Sequence, residues 1–265
     1  MVAVGLFQGP EFSTTVLANL GVIEDAARKA KADGATILIT PEMSATGYNI
    51  GSLIAERAEP ADGPIYQQVR DIARRHDIAV VYGYPESNGT DRPYNSVQVI
   101  DADGERLANY RKTHLYGFDR TYFTPGEEWV QQFDFAGVRC GLLICYDIEF
   151  PENVRAHADA GTEWLIVPTG LMEPYGHVAT QLVPTRAYES QLFVTYVNRC
   201  GTEDDLTYCG STCAIAPDAT PLVRAGTAEQ LLITEIDPAA VAVSRAVNTH
   251  LDDRRRDLYQ EKSSR

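Results

Sequence analysis

The chain has 265 residues, a formal net charge of −14 and a sequence pI of about 4.7. Its composition, 44% hydrophobic and 23% charged, is that of a globular protein long enough to bury a large core. The acidic balance argues against nucleic acid or an anionic membrane surface as a partner, because both bind basic patches. No apolar run approaches the ~20 residues of a membrane span, so no membrane association is expected.

The five cysteines favour a reducing compartment. Their number is odd and no CxxC pair occurs, which disfavours both a secreted disulfide framework and a structural zinc site. The N-terminal segment lacks the basic region and cleavage site of a signal peptide and is predicted to be a strand instead. We therefore expect a cytoplasmic protein.

The predicted elements of the N-terminal half begin with strand, helix and strand, which implies parallel pairing through a right-handed crossover. A second helix and strand follow, and then a hairpin, so the sheet must be mixed. Residues 115–130 are predicted to form a loop. The predicted strands are Val2–Gln8, Thr36–Ile39, Ile78–Gly83, Tyr94–Ile100 and Arg106–Tyr110, and the predicted helices are Thr14–Lys31 and Pro64–His76.

The C-terminal half repeats this order, with a second hairpin, a last strand and a short helix near its end. Its predicted strands are a segment ending at Ile144, then Glu163–Val167, Leu192–Val197, Tyr208–Ile215, Thr220–Arg224 and Gln230–Ile236, and its predicted helices are Pro151–Ala160 and Val178–Glu189. No linker divides the halves, so we predict one α/β domain over residues 1–265, with two mixed sheets packed face to face and helices outside. The tail, about residues 238–265, is expected to be extended or to contact another subunit.

Cys145 lies where a buried strand gives way to a tight turn. Residues 141–144 are small and apolar, and Phe150-Pro151-Glu152 is typical of a helix start. Such a turn lifts a side chain out of the sheet and points backbone N–H groups at whatever that side chain attacks. The thiol is therefore a candidate nucleophile, with a cysteine that only packs in the core as the alternative.

Glu42 and Lys112 also follow apolar strands, so that three reactive groups stand at three strand ends. If those strands are neighbours, the side chains converge on one rim. A thiol needs a base, which Glu42 supplies, and attack on an amide carbonyl creates an oxyanion that Lys112 and a backbone N–H after Cys145 can stabilise. No metal and no cofactor are needed.

Several segments in this order and spacing resemble the nitrilase superfamily of carbon–nitrogen hydrolases, from Val4 to about Asp237. They are Pro41-Glu42 with Thr46-Gly47-Tyr48, Tyr110 to Leu115, Phe123-Thr124-Pro125-Gly126, Cys140 to Asp147 with Phe150-Pro151-Glu152, Arg186 to Glu189, and Asn198. The resemblance implies a four-layer α-β-β-α sandwich and a catalytic triad of Glu42, Lys112 and Cys145. It also implies a thioester intermediate and assembly into a homodimer or higher homo-oligomer.

The family often carries a second glutamate in the loop after the lysine. The best-aligned position here is Asp119, with Glu127 and Glu128 further along, and a shorter carboxylate could still hold Lys112 or the substrate amide. Loops facing the expected pocket also carry aromatic and small residues, which either position substrate or simply pack. The substrate-positioning candidates are Tyr48, Tyr146, Thr169 and Gly170.

The predicted function is hydrolysis of a small linear amide to ammonia and a carboxylic acid, in its narrowest version by a 2-oxoacid ω-amidase such as 2-oxoglutaramate amidase. An N-carbamoyl amine or amino acid hydrolase is an alternative. A nitrile is disfavoured, because Tyr146-Asp147 replaces the Trp-Glu typical of true nitrilases in the superfamily. Two further alternatives are a metal-dependent phosphodiesterase using Glu42, Asn95 and Asp147, and a catalytically inactive binding protein.

His114 is a second candidate base, because a Cys–His pair is another common way to activate a thiol. The resemblance assigns it packing instead. Asp147 is predicted to be a structural carboxylate near the turn.

Overall fold

Two six-stranded sheets, packed face to face, form the centre of the computed structural model, which describes residues 1–9 and 15–260. The strand order is β14-β1-β2-β3-β4-β5 in the first sheet and β13-β12-β9-β8-β7-β6 in the second. The strands are β1 (Val2–Gln8), β2 (Ile37–Ile39), β3 (Ala79–Glu86), β4 (Tyr94–Ile100), β5 (Arg106–Arg111), β6 (Gln131–Phe135), β7 (Val138–Leu142), β8 (Trp164–Pro168), β9 (Phe193–Val197), β10 (Thr202–Glu203), β11 (Leu206–Thr207), β12 (Cys213–Ile215), β13 (Pro221–Arg224) and β14 (Gln230–Ile236).

Each sheet is mixed, as predicted. The first pairs β1, β2 and β3 in parallel, and the second does the same with β7, β8 and β9, while the remaining neighbours are antiparallel. Because parallel strands all end at the same edge, the loops after these strands gather side chains from distant parts of the chain. The short pair β10–β11 stands apart as its own hairpin.

Helices cover the outer face of each sheet. The helices are α1 (Val16–Ala32), α2 (Leu53–Glu56), α3 (Pro64–His76), α4 (Asp119–Tyr122), α5 (Pro151–Asp159), α6 (Val183–Ser190), α7 (Ala239–Val247) and α8 (Arg256–Gln260). Helix α3 buries Ile65, Val69 and Ile72 against the first sheet, a spacing that places all three on one face. Helices α5, α6 and α7 contribute to the core of the second sheet, so the predicted four-layer α-β-β-α sandwich is confirmed.

One apolar core fills the space between the sheets. Leu6 and Val81 of the first sheet belong to the same buried cluster as Leu142, Ile166 and Val194 of the second. The division into a single domain over residues 1–265 stays a prediction, as does an oligomer contact of the tail, whose last residues 261–265 lie outside the described part.

Several predictions of secondary structure differ from the fold. The sequence predicts no strand at 131–135, directly after the predicted loop, but the structure forms β6 there, with only Phe133 of its five residues buried. The strand predicted at 208–215 is reduced to β12, because Gly210 and Ser211 have φ of 62° and 61°, which interrupts an extended chain. The loop predicted at 115–130 contains the one-turn α4.

The helix predicted from Val178 begins as a π-helical segment, Val178–Leu182, before α6. Pro184 has no amide hydrogen, so the carbonyl of Thr180 lacks its α-helical donor there. Helix α1 begins at Val16, with the side chain of Thr15 accepting a hydrogen bond from the Ala18 amide at 3.3 Å. The predicted start at Thr14 lies outside the described residues.

Within residues 1–9 and 15–260, no helix combines the length and the apolar character that crossing a bilayer requires.

Candidate active site

The structure brings the ends of β2, β5 and β7 to one edge of the sandwich, and with them Glu42, Lys112 and Cys145. Glu42 and Lys112 follow strands of the first sheet, whereas Cys145 follows a strand of the second. The predicted convergence of the three groups therefore occurs across the two sheets.

Lys112 is fully buried between two carboxylates. Its Nζ donates to Glu42 Oε1 at 2.8 Å and to Asp119 Oδ2 at 2.6 Å. Burial alone would lower the pKa of Lys112, but the charges of Asp119 and Glu42 raise it well above its ordinary value. The side chain is thus a fixed ammonium in a site of low dielectric.

The two carboxylate oxygens of Glu42 differ in their hydrogen-bond partners. Oε1 accepts from Lys112 and from Asn95 Nδ2, the latter at 2.7 Å. Oε2 is buried and has no hydrogen-bond partner among the described residues. Burial raises the pKa of Glu42, and the charge of Lys112 acts in the opposite direction. One oxygen is therefore anchored while the other is available to accept a proton.

Gly170 leaves room for that free oxygen. A Cβ at this position would lie 3.2 Å from Glu42 Oε2 and 3.2 Å from the ring of Tyr48. The absence of a side chain there therefore leaves space beside the free oxygen of Glu42.

Cys145 begins the one-turn 3₁₀ helix Cys145–Glu149 with a φ of 48°, in the left-handed region. Burial and the charge of Glu42 raise the pKa of its thiol, while Lys112 and hydrogen bonds from Thr169 and Gly170 oppose that shift. Because the thiol is protonated at neutral pH in this environment, the sulfur needs a neighbouring base to become a nucleophile.

Asp119 lies where the sequence suggested a replacement for the second glutamate. Its Oδ2 accepts from Lys112 and from the Tyr116 amide at 3.2 Å, and its Oδ1 accepts from the Tyr48 hydroxyl at 2.9 Å. Tyr48 is itself fully buried. These contacts fix the position of the Lys112 ammonium.

The other two positioning candidates, Thr169 and Tyr146, differ in how deeply they are buried. Thr169 is buried, and its hydroxyl donates to Tyr196 at 3.0 Å, while its carbonyl accepts from the Glu42 amide at 3.4 Å. Tyr146 is half-buried and packs against Tyr116, with ring centroids 5.2 Å apart. It therefore belongs to the rim of the site rather than to its floor.

Asp147 holds the turn together. It accepts hydrogen bonds from the Ile144 amide at 3.1 Å, the His114 amide at 2.8 Å and the Tyr110 hydroxyl at 2.9 Å. The His114 ring lies on Phe150, with centroids 4.0 Å apart, and its Nδ1 is 3.0 Å from Asp147 Oδ1. These contacts give both residues structural partners, as the sequence predicted for Asp147.

Sequence reasoning missed a buried ion pair between Arg199 and Glu203, 3.0 Å apart. The Arg199 guanidinium also donates to the carbonyls of Glu42 at 3.2 Å and Met43 at 3.0 Å. Arg199 follows directly on Asn198, one of the residues that carry the resemblance to the nitrilase superfamily. The signal was a charged residue immediately after the end of an apolar strand, the same signal that identified Glu42.

Glu203 in turn fixes the loop that carries Tyr48. Its carboxylate accepts from the amides of Tyr48 at 3.1 Å and Asn49 at 2.8 Å and from the Tyr208 hydroxyl at 2.5 Å. Burial opposes ionisation of Glu203, but Arg199 and these hydrogen bonds lower its pKa. The pair thus holds two segments of the site in place from the second sheet.

Comparison with known proteins identifies relatives of this chain in sequence and in structure. A Pseudomonas protegens protein described as "Hydrolase in pqqF 5'region" is 44% identical over 264 residues, covering 99% of this chain and 92% of its own. An (R)-stereoselective amidase of Pseudomonas sp is 40% identical, covering 83% of this chain and 79% of its own. Among solved structures, an amidase from Nesterenkonia sp. has a TM-score of 0.88 at 33% identity, covering 98% of this chain and 95% of its own.

Residues 3–246 match the carbon–nitrogen hydrolase family, which confirms the resemblance predicted from the sequence motifs. This chain belongs to the carbon–nitrogen hydrolases of the nitrilase superfamily.

Proposed function

We propose that this enzyme is an amidase that hydrolyses a small linear amide through a thioester on Cys145, with Glu42 and Lys112 completing the triad. The observation that carries the proposal is the different hydrogen bonding of the two Glu42 oxygens. Oε1 accepts a hydrogen bond from Lys112, whereas Oε2 has no partner among the described residues. A base anchored in this way can exchange a proton with the sulfur without losing its position.

In the first half-reaction, Glu42 takes the thiol proton and the sulfur of Cys145 attacks the amide carbonyl carbon. The oxyanion that forms is stabilised by the Lys112 ammonium and by a backbone N–H after Cys145. Glu42 then gives its proton to the amide nitrogen, the C–N bond breaks, and ammonia leaves. The acyl group stays on the sulfur as a thioester.

In the second half-reaction, Glu42 removes a proton from water and the resulting hydroxide attacks the thioester carbonyl. Collapse of the second tetrahedral intermediate breaks the C–S bond, releases the carboxylic acid and returns the proton to the sulfur. Asp119, Tyr48, Thr169 and Gly170 position the reacting groups in this scheme, and Tyr146 lines the entrance.

An amide substrate is supported by the amidases among the relatives, one of which, from Nesterenkonia sp. AN1, is described in complex with butyramide. The 2-oxoacid ω-amidase predicted from the sequence is a second candidate, but its substrate carries a carboxylate that needs a cation in the pocket. The N-carbamoyl hydrolase and the nitrilase stay as further alternatives. Family membership favours all of these over the phosphodiesterase.

We further propose a homodimer in a reducing cytoplasm. All five cysteines are free thiols in the structure, and Cys145 must be reduced to react.

Replacing Cys145 with Ala should abolish ammonia release from butyramide, by roughly 10⁴-fold or more, because the variant lacks the sulfur that forms the thioester. Brief incubation of the wild-type enzyme with substrate, followed by acid quenching and intact-mass measurement, should reveal an acyl adduct on Cys145. Cys140→Ala, in the same strand β7, is the matched control and should retain activity. Wild-type rates from the Cys145→Ala variant would reject the nucleophile.

A further inference from the structure

Asn95, near the start of β4, contacts two residues of the proposed triad. Its side-chain Nδ2 donates to Glu42 Oε1 at 2.7 Å, and its backbone carbonyl accepts a hydrogen bond from the Lys112 amide at 2.8 Å. The residue is fully buried and lies opposite Pro85 of β3 in the first sheet. One residue therefore connects the loop after β2, which carries the acid, to the end of β5, which carries the ammonium.

The side-chain amide of Asn95 affects which oxygen of Glu42 is free. Lys112 and Asn95 both donate to Oε1, whereas Oε2 is buried and has no partner among the described residues. A carboxylate held by Lys112 alone could turn until both of its oxygens share the ammonium, because the terminal torsion of a glutamate side chain is broad. The second donor on Oε1 opposes that turn and leaves Oε2 available to accept a proton.

An asparagine at this position is not explained by packing. Residues two and four positions further along β4, on the same face of the sheet, are Val97 and Val99, which belong to the apolar core. The side-chain oxygen of Asn95 is buried and has no hydrogen-bond partner among the residues that the structure describes. Because an unsatisfied buried acceptor lowers stability, an apolar residue would suit the core better, and the amide nitrogen is the part of Asn95 that makes a useful contact.

Asn95 is a neutral donor in a site where most other groups titrate or carry charge. A hydrogen bond to an ionised carboxylate favours the ionised form, so this contact opposes the effect of burial, which raises the pKa of Glu42. Replacing Asn95 with an apolar residue removes that donor and changes no charge. The titratable and charged groups that act on Glu42 from neighbouring segments are Lys112, Asp119, Cys145, Arg199, Tyr48, Tyr196 and Tyr208.

We propose that Asn95 is a positioning residue for the amidase reaction, which reserves Glu42 Oε2 for proton transfer and helps to keep the carboxylate ionised. The inference rests on the proposed amidase function, in which Glu42 is the base. Asn95 acts through Glu42 and not on the substrate itself. Its loss should therefore change the titration of the base as well as the rate, which a residue that only supports the fold would not do.

Asn95→Leu tests this role in a pH profile of ammonia release from butyramide. The acid limb of kcat/KM should move to higher pH by about one pH unit, because ionised Glu42 loses a hydrogen bond. On the plateau, kcat should fall by about tenfold with KM nearly unchanged, because the base is less well placed. Asn109→Leu is the matched control. It removes a hydrogen bond of 2.9 Å from an asparagine of β5 to the buried Glu86, and should leave the limb and kcat in place.

NMR of protein labelled with ¹³C at the glutamate carboxyl carbons gives a second measurement that needs no turnover. The Glu42 signal, assigned by its loss in Glu42→Gln, should titrate with a higher pKa in Asn95→Leu than in the wild type. An unmoved limb and an unmoved pKa would overturn the role of Asn95, even if kcat fell. A wild-type enzyme that releases no ammonia from butyramide would count against the proposed function, and the titration would still decide the role of Asn95. If Asn95→Leu does not fold, Asn95→Ala removes the same donor with less bulk and is judged by the same criteria.

Discussion

Cys145 and Met43, the residue after Glu42, both have positive φ, 48° and 54°. This region costs a non-glycine residue roughly 1–2 kcal/mol, so each needs contacts that enforce it. Arg199 binds the Met43 carbonyl, and Asp147 accepts the amide of Ile144, next to Cys145. The unfavourable backbone thus occurs beside the two groups that exchange a proton in the proposed mechanism, and it is held there by charged side chains.

The pH dependence of the reaction should report Glu42. As a base it acts when deprotonated, so activity is lost as the pH falls through its raised pKa. The charge of Asp119 contributes to that raised value, so Asp119→Asn should move the acid limb of kcat/KM to lower pH, besides lowering the rate. The measurement is a pH profile of ammonia release from butyramide.

Asp134→Asn, which removes an exposed carboxylate in β6, is the control and should leave the acid limb in place. An acid limb that stays fixed or moves to higher pH in Asp119→Asn would contradict the assignment of that limb to Glu42.

At the scale of elements, side chains from the loop after β9 hold the loop after β2 in position through hydrogen bonds. Arg199 reaches from the second sheet to the Glu42 and Met43 carbonyls of the first, and Glu203 holds the amides of Tyr48 and Asn49. A buried pair in this position has more than a stabilising role, because it sets the distance between segments that belong to different sheets.

Arg199→Met should destabilise the fold by about 3–5 kcal/mol, because it leaves Glu203 buried without its charged partner. The measurement is equilibrium unfolding in urea. Arg28→Met is the matched control, since the Arg28–Asp25 pair is exposed, with side-chain accessibilities of 57% and 68%. It should change stability by less than about 1 kcal/mol. Equal unfolding midpoints for the two variants would contradict the role of the buried pair.

The elements that the sequence predicted to the residue are β1, α3, β4 and β14. Each is an apolar run or a regular apolar period bounded by a turn or cap signal, so local sequence is sufficient to define it. Strand β6 lacks such a period, because it lies at the edge of its sheet and pairs with β7 alone. The π-helical segment before α6 depends on the missing amide of Pro184, and a helical period does not reveal it.

The predicted triad positions came together because each of them follows a strand, and strand ends are visible in sequence. Arg199 and Glu203 were missed because their role depends on contacts with residues more than 150 positions away.

At the scale of the whole molecule, α7 presents apolar side chains on its outer side. Val243 and Val247 are 65% and 85% exposed, and together with Tyr188 they line one surface depression, which we call the α7 patch. An exposed apolar patch of this kind is typical of a surface that another protein covers. We expect the proposed homodimer to use it.

Val243→Asp should shift the oligomer toward the monomer, because an unpaired charge would be buried in the contact. Light scattering coupled to size exclusion gives the mass of each species. Leu17→Asp introduces the same charge on α1, over the first sheet, at a residue that is 75% exposed, and should leave the mass unchanged. A monomeric wild-type protein, or a Val243→Asp variant of unaltered mass, would exclude this contact.

The placement of Glu42 and Lys112 on one sheet and Cys145 on the other has a consequence for how such an enzyme fails. Neither half of the chain holds a complete set of reacting groups, so a small slip between the layers separates base from sulfur even while every strand stays intact. Turnover is therefore a more sensitive gauge of alignment than any probe of secondary structure.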